Sequence, residues 1–563
     1  MARTISIGAQ GFEGLRAGGY FYVDKTGFVS EWWRSADVAT LVCRPRRFGK
    51  TLNLDTVRCF LSTEFAGRGE ELFGGLEVWS DPGMRELQGG VPVVAMSFAN
   101  VKAPTYEGML EGVSRAVVAA VQAHGYLEGW EGLGARDREA LAAVRVGMTP
   151  YTCADAPHLL CGLLRRYWGV RPVVLLDEYD APMERAWVSG FWDEASDFMR
   201  QLMNSTFKTN PALGRGLITG VTRVSRESIF IDLNNLVVVT SSTPLYRTSF
   251  GFTREEVGAA LAEYGLSDRA ADVARWYNGF TFGGVGHVYN PWSVTQLLQF
   301  REFRAYWANT SGNALVSEVV RRGGARLKAD FEELMRGGAI EKVIDEQVVF
   351  SELATRPGAV WALLLAAGYL TSPGPVPQFP ESEPRPLRLT NHEVELAFDR
   401  MAEGWFAGAE DDWGDLARAL LAGDAEGATD CLAGVCEACM SSFDGARRPA
   451  AREPERFYHG LVLGLLARLR GRWSVESNRE SGRGRYDVAL VPTDGAAGTD
   501  PAVVMELKVF DPRREEALSD TVARARAQID DKGYVAGLVA RGIAPERIRT
   551  YGVAFRGKEV LVG

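Results

Sequence analysis

Two stretches of this chain bring together side chains that can handle phosphate. The first is Arg44-Pro45-Arg46-Arg47-Phe48-Gly49-Lys50-Thr51. It follows a short apolar run, Thr40 to Cys43, and precedes a segment with helical patterning from about Thr51 to Glu64. The backbone N–H groups of such a turn, at the start of a helix, offer partial positive charge to an anion. Gly49-Lys50-Thr51 matches the second half of a Walker A phosphate loop. On that reading Arg46, Arg47, Phe48, Gly49, Lys50 and Thr51 line the phosphates; Lys50 reaches the β- and γ-phosphates of ATP, and Thr51 offers its hydroxyl to Mg²⁺. Arg44 occupies the place of the consensus first glycine, and the tripeptide alone fits a capped surface helix equally well.

A second feature favours the nucleotide reading. Val173-Val174-Leu175-Leu176 runs into Asp177-Glu178-Tyr179-Asp180. A buried strand ending in acids suits Mg²⁺ binding through Asp177 and polarisation of the attacking water by Glu178. Gly216 to Val221 is a further strand ending in polar groups. Thr219 or Thr222 would be a sensor beside the γ-phosphate and Arg223 or Arg226 a cationic contact, with a solvated strand edge as the equal alternative.

The second phosphate-handling stretch is near the end. Asp487 begins a strand, and Glu506-Leu507-Lys508 closes a Val-rich one. Side chains alternate along a strand, so Glu506 and Lys508 share a face. Asp487 and Glu506 together would hold Mg²⁺, and Lys508 would orient water or the transition state at a phosphodiester.

The elements that must position these groups follow from the pattern. Val91–Phe98, Val173–Leu176, Gly216–Val221 and Leu236–Thr240 read as strands, and Glu107–His124 as a helix. Strands alternating with helices imply a parallel sheet covered on both faces. Thr253–Phe300 reads as helical, broken by WYNGFTFGG, and Arg301–Phe350 also as helical. Ser372–Pro386 reads as a loop, Asp411–Met440 as helix and Phe443–Pro454 as a linker. Beyond it the order is helix (Glu455–Arg470), strands (Trp473–Ser477, Tyr486–Val491, Ala502–Val509), helix (Glu515–Arg541) and strand (Arg549–Phe555), an αβββαβ series.

Composition agrees with a multidomain globular chain. Its 563 residues allow three or four domains at roughly 150 residues each. Net charge is -9, yet residues from Arg452 onward carry 19 Lys+Arg against 16 Asp+Glu, which permits nucleic-acid binding there. The N-terminus lacks a signal peptide's apolar core, and the longest apolar run, Ala359–Leu370, is far short of a membrane span. Seven scattered cysteines read as reduced thiols. Cys431, Cys436 and Cys439 suit one packed helix face better than zinc, since no fourth ligand lies close by. A cytoplasmic protein without membrane attachment is expected.

The phrases FYVDKTGFV, RPRRFGKT, VVLLDEYDAP, ITGVTRVSRESIF, WYNGFTF, YNPWSV and YWANTSGN resemble bacterial AAA-ATPase-like proteins. That family tolerates a non-glycine residue at the start of its P-loop. The resemblance spans roughly residues 1–250, with later phrases to about 313, and includes Tyr22, Asp24 and Lys25. Lys25 lies near the nucleotide or pairs with an acid. The aromatic motifs around Trp276–Phe280 and Tyr289–Trp292 read as packed core in preference to a nucleotide-sensing lid. FYHGLVLGLL, ESNRESGRGRYDVAL, VVMELKVF and AQIDDKGY resemble PD-(D/E)XK nuclease superfamily domains over about 440–563. This implies Gln528 near the site and Glu480 as an extra metal ligand, while His459 reads as packed.

The resemblances imply an α/β chain in three parts. These are a P-loop NTPase parallel-sheet domain (1–250), a mostly helical lid or connecting region (251–440) and an αβββαβ restriction-endonuclease-like domain (441–563). The implied activity is ATP hydrolysis that regulates a Mg²⁺-dependent DNA nuclease. The alternative is a nucleotide switch that binds protein or nucleic acid through an inactive nuclease-like domain. Oligomeric state and the role of 314–440 do not follow from the sequence.

Overall fold

In a computed structural model the chain is described except at Met1, 223–228, 231–232, 308–324, 336, 347–357, 378–381, 406–412, 440–454, 467–472, 478–479, 482–483 and 494–497. It divides into two units, Met1–Ser311 with Glu341–Glu393, and Gly312–Ile340 with Val394–Gly563. Residues 251–440 are thus shared between them.

The first unit is built on five strands: β1 (Ala39–Cys43), β2 (Val93–Ser97), β3 (Val173–Asp177), β4 (Arg215–Gly220) and β5 (Leu236–Val239). They pair in parallel in the order β2-β3-β4-β1-β5. Every residue of β1 and β3 is buried, as continuous apolar runs require when helices cover both faces. The helix Lys50–Leu61 buries Leu54, Val57, Phe60 and Leu61 against the sheet's core. The helix Pro150–Trp168 starts with Pro at its first position and a Thr149 side chain accepting from the Thr152 N–H; Gly169, at φ 70°, ends it. Because β4 lies between β1 and β3, the turn after β1 and the acids after β3 flank the end of one strand.

The WYNGFTFGG break is a β-hairpin, Phe280–Phe282 against Val285–Val288, between the helices Ala270–Tyr277 and Pro291–Phe300. Gly283 and Gly284 both have positive φ (55° and 80°), the conformation that a two-residue hairpin turn needs. Within Arg301–Phe350, expected to be helical, the described residues form the helix Ala325–Met335 and a strand, Ile340–Lys342. Arg385–Leu389 is a strand paired with Leu370–Thr371, so the Pro-rich loop ends earlier than expected.

The second unit carries β6 (Trp473–Ser477), β7 (Val488–Pro492), β8 (Ala502–Val509), β9 (Ile548–Arg556) and β10 (Glu559–Val562), in sheet order β6-β7-β8-β9-β10. β8 and β9 are parallel and the other neighbours antiparallel. With the helix Glu455–Leu466 this is the αβββαβ series plus an edge strand, β10. The long helix expected over Glu515–Arg541 is two, Leu518–Lys532 and Val535–Val539, because Gly533 turns left-handed at φ 66°. Gly423, at φ 88°, likewise splits the Ala- and Leu-rich segment into Trp413–Ala422 and Ala425–Cys439. These helices hold to the sheet through Tyr551 Oη donating to Leu420 O (2.8 Å) and Val562 N–H donating to Thr429 Oγ1 (3.0 Å). Cys436 lies in this core and Cys431 against it. Among the described residues no three His, Cys, Asp or Glu side chains form a metal cluster, and no helix is long and apolar enough to cross a membrane. The expected linker, 443–454, lies outside the described residues.

Candidate active sites

In the first unit the turn after β1 coils tightly into the helix Lys50–Leu61. Arg47 and Gly49 both have positive φ, 66° and 81°. The Lys50 ammonium folds back to donate to Arg44 O (2.9 Å) and Pro45 O (2.8 Å), and burial holds its pKa below the usual lysine value. Thr51 Oγ1 donates to Asp177 Oδ2 (2.7 Å), and Thr219 Oγ1 donates to Asp177 Oδ1 (2.5 Å). Asp177 therefore gathers a hydroxyl from the phosphate-type turn and one from β4. Glu178 follows in a left-handed backbone conformation, φ 48°. Burial raises its pKa, and the neighbouring Asp177 and Asp180 add to the rise against Lys50 and Arg46.

Arg44 does not face this pocket. Its fully buried guanidinium donates to Cys43 O (2.9 Å) and Thr240 O (2.8 Å), with longer contacts to Leu245 O and Tyr246 O, and stacks over Phe282. Burial lowers its pKa to about 10. The residue in the glycine position is thus a structural tie between the turn and the segment after β5. Arg46 pairs with Glu184, and Arg47 lies over Trp292 at 4.4 Å. Phe48 sits edge-on to Phe280 (4.7 Å) and Phe282 (5.6 Å), and Trp307 Nε1 donates to Arg46 O (3.0 Å). The aromatic motifs are core, but core packed directly on the phosphate-type turn.

Of the remaining residues singled out in the sequence, Lys25 pairs with Glu256 at 2.6 Å. Asp24 caps Thr26 and receives the Glu77 N–H. Thr222 lies on Asp180 instead of Asp177. Arg223 and Arg226 lie outside the described residues.

In the second unit, β7 and β8 pair antiparallel, which sets Asp487, just before β7, beside the end of β8. Its Oδ2 accepts the Leu507 N–H at 2.8 Å. Glu506 is 1 % exposed, and its Oε1 meets Lys508 Nζ at 2.9 Å, as their shared strand face requires. Gln528 Nε2 donates to the same Oε1 and lies 3.1 Å from Tyr534 Oη. The three residues expected to act on a phosphodiester are therefore together, with Gln528 beside them. His459 Nε2 donates to Asp487 O (2.8 Å) and is 3.0 Å from Ser477 Oγ, so it packs against the backbone of the acid. The Glu480 side chain lies outside what is described.

Residues 6–230 match the family model described as "Predicted AAA-ATPase", and residues 453–563 match that of the PD-(D/E)XK nuclease superfamily. The chain joins an AAA-ATPase-like domain to a PD-(D/E)XK nuclease superfamily domain. It is also 28% identical to an "Uncharacterized protein in vnfD 5'region" of Azotobacter chroococcum mcd 1, with 100% of this chain and 98% of that one aligned.

Two residues of these domains escaped the sequence reading. In the AAA-ATPase-like domain, Asp180 Oδ2 accepts from Val221 N–H (2.8 Å), Thr222 N–H (2.9 Å) and Thr222 Oγ1, tying the turn after β3 to that after β4. The signal was a third acid in DEYD. In the nuclease-superfamily domain Tyr534 is buried beside Gln528. Burial raises its pKa, with Glu506 and Asp487 contributing. Its sequence signal was its place in AQIDDKGY.

Proposed function

We propose that the AAA-ATPase-like domain binds and hydrolyses ATP with Mg²⁺, and that its nucleotide state regulates Mg²⁺-dependent cleavage of DNA by the C-terminal domain. The observation that carries this reading is the meeting of Thr51 and Asp177, 126 positions apart in sequence, at 2.7 Å beside Lys50. A hydroxyl and a carboxylate oxygen in contact are the hard-oxygen donor set that suits Mg²⁺. In the C-terminal domain the corresponding donors are the carboxylates of Asp487 and Glu506. Bound there, the metal supplies charge stabilisation and an acidified water.

The chain's own groups do the rest. Lys50 leaves the loop carbonyls for the β- and γ-phosphates, and the turn's N–H groups hold their oxygens. Glu178, next to Asp177, polarises the attacking water. Thr219 fixes the Asp177 carboxylate that it bonds. Lys508, held by Glu506, orients water or the developing charge at the phosphodiester. The regulatory link is supported by the presence of both domains in one chain.

ATP hydrolysis by the purified full chain tests the first half. Wild type should turn over ATP only with Mg²⁺, and Lys50→Ala should lower the rate by about 10²-fold or more, the scale for losing one group that stabilises transition-state charge. Glu178→Gln should keep ATP binding and lose turnover. Equal rates for wild type and Lys50→Ala would defeat the assignment.

A further inference from the structure

The phosphate-type turn carries two arginines that the structure uses differently. Arg47 is exposed and lies over Trp292. Arg46 points to the acid side, with Nη2 at 2.5 Å from Glu184 Oε2 on the helix Ala181–Ser189. That helix begins directly after Asp180. The ion pair therefore stands on the side of the turn where Glu178 and Asp180 lie, and Arg46 interacts electrostatically with both and with Lys50. The two side chains are 38% and 30% exposed. A pair this hydrated is worth at most about fivefold in an equilibrium constant. A triphosphate offers several charges and a bidentate match to the guanidinium plane, which Glu184 alone cannot equal.

We propose that Arg46 is the chain's own cation for the terminal phosphate of a bound nucleoside triphosphate, and that Glu184 is the counter-ion that parks it until the triphosphate arrives. The proposal rests on the ATP-site reading above. The position of Arg46 supports the terminal phosphate: its acidic neighbours include Glu178, the residue assigned to the attacking water. Lys50 and Arg46 then grip from two sides, and the cation comes from the same chain. Glu184 makes the parked state specific to the absence of the terminal phosphate, since a diphosphate leaves the ion pair intact.

The test is equilibrium binding of ADP and of a β,γ-imido ATP analogue, with Mg²⁺, to the full chain. Wild type, Glu184→Gln, Arg46→Ala, Arg46→Lys and the Arg46→Ala/Glu184→Gln double variant are compared, with thermal melting as the check on folding. Glu184→Gln should bind the triphosphate analogue up to about fivefold tighter and ADP as before. Arg46→Ala should weaken the analogue alone, Arg46→Lys should lie between it and wild type, and the double variant should match Arg46→Ala. Glu184→Gln shifting both nucleotides equally, or neither, overturns the proposal while leaving the ATP site standing. Wild type that binds neither nucleotide overturns both.

Discussion

Arg44 is where a consensus phosphate loop would have glycine, and the reason it is tolerated is visible in its contacts. The side chain is fully buried and ties five backbone carbonyls, from 43, 239, 240, 245 and 246, while stacking on Phe282. Restoring the consensus by Arg44→Gly should therefore destabilise the domain, by about 3 kcal/mol, as expected when buried carbonyls lose a charged donor. Thermal or urea unfolding of the variant measures this, and an unchanged midpoint would refute the tie. The placement of these side chains was readable in the sequence because each follows a local rule: Lys50 and Thr51 at a helix start, Asp177 at the end of a buried strand, Glu506 and Lys508 two apart on one strand. What Arg44 and Asp180 do was not readable, because their contacts are made to segments distant in the sequence.

At the scale of elements, the hairpin Phe280–Val288 seats on the phosphate-type turn through Phe48, and its entry depends on Gly279. That residue has φ 114°, and a Cβ there would come 2.0 Å from Thr390 O. Gly279→Ala should cost on the order of 3 kcal/mol or more, since both the backbone and a carbonyl oxygen must shift. A melting midpoint equal to wild type would show that the hairpin is not held this closely. Element types were mostly legible from apolar runs and periodicity. The hairpin inside a helical stretch was not, nor were the breaks at Gly423 and Gly533, where a single left-handed glycine outweighs helical patterning on both sides. The position of β4 between β1 and β3 brings Thr219 onto Asp177, and strand order of this kind is carried by no local signal.

At the scale of the whole chain, an AAA-ATPase-like domain and a nuclease-superfamily domain share one polypeptide, and the proposed activity requires that the first govern the second. Net charge permits nucleic-acid binding by the C-terminal part, which is slightly basic in a chain of net charge -9. The most direct measurement is Mg²⁺-dependent cleavage of single-stranded, double-stranded and branched DNA by the full chain, with and without ATP, beside Asp487→Ala and Lys50→Ala. Wild type should cut in a way that responds to ATP, Asp487→Ala should lose about 10²-fold or more, and Lys50→Ala should lose the ATP response. Wild type that hydrolyses ATP but cuts none of these substrates would contradict the proposed function, as would cutting that is indifferent to ATP and to Lys50.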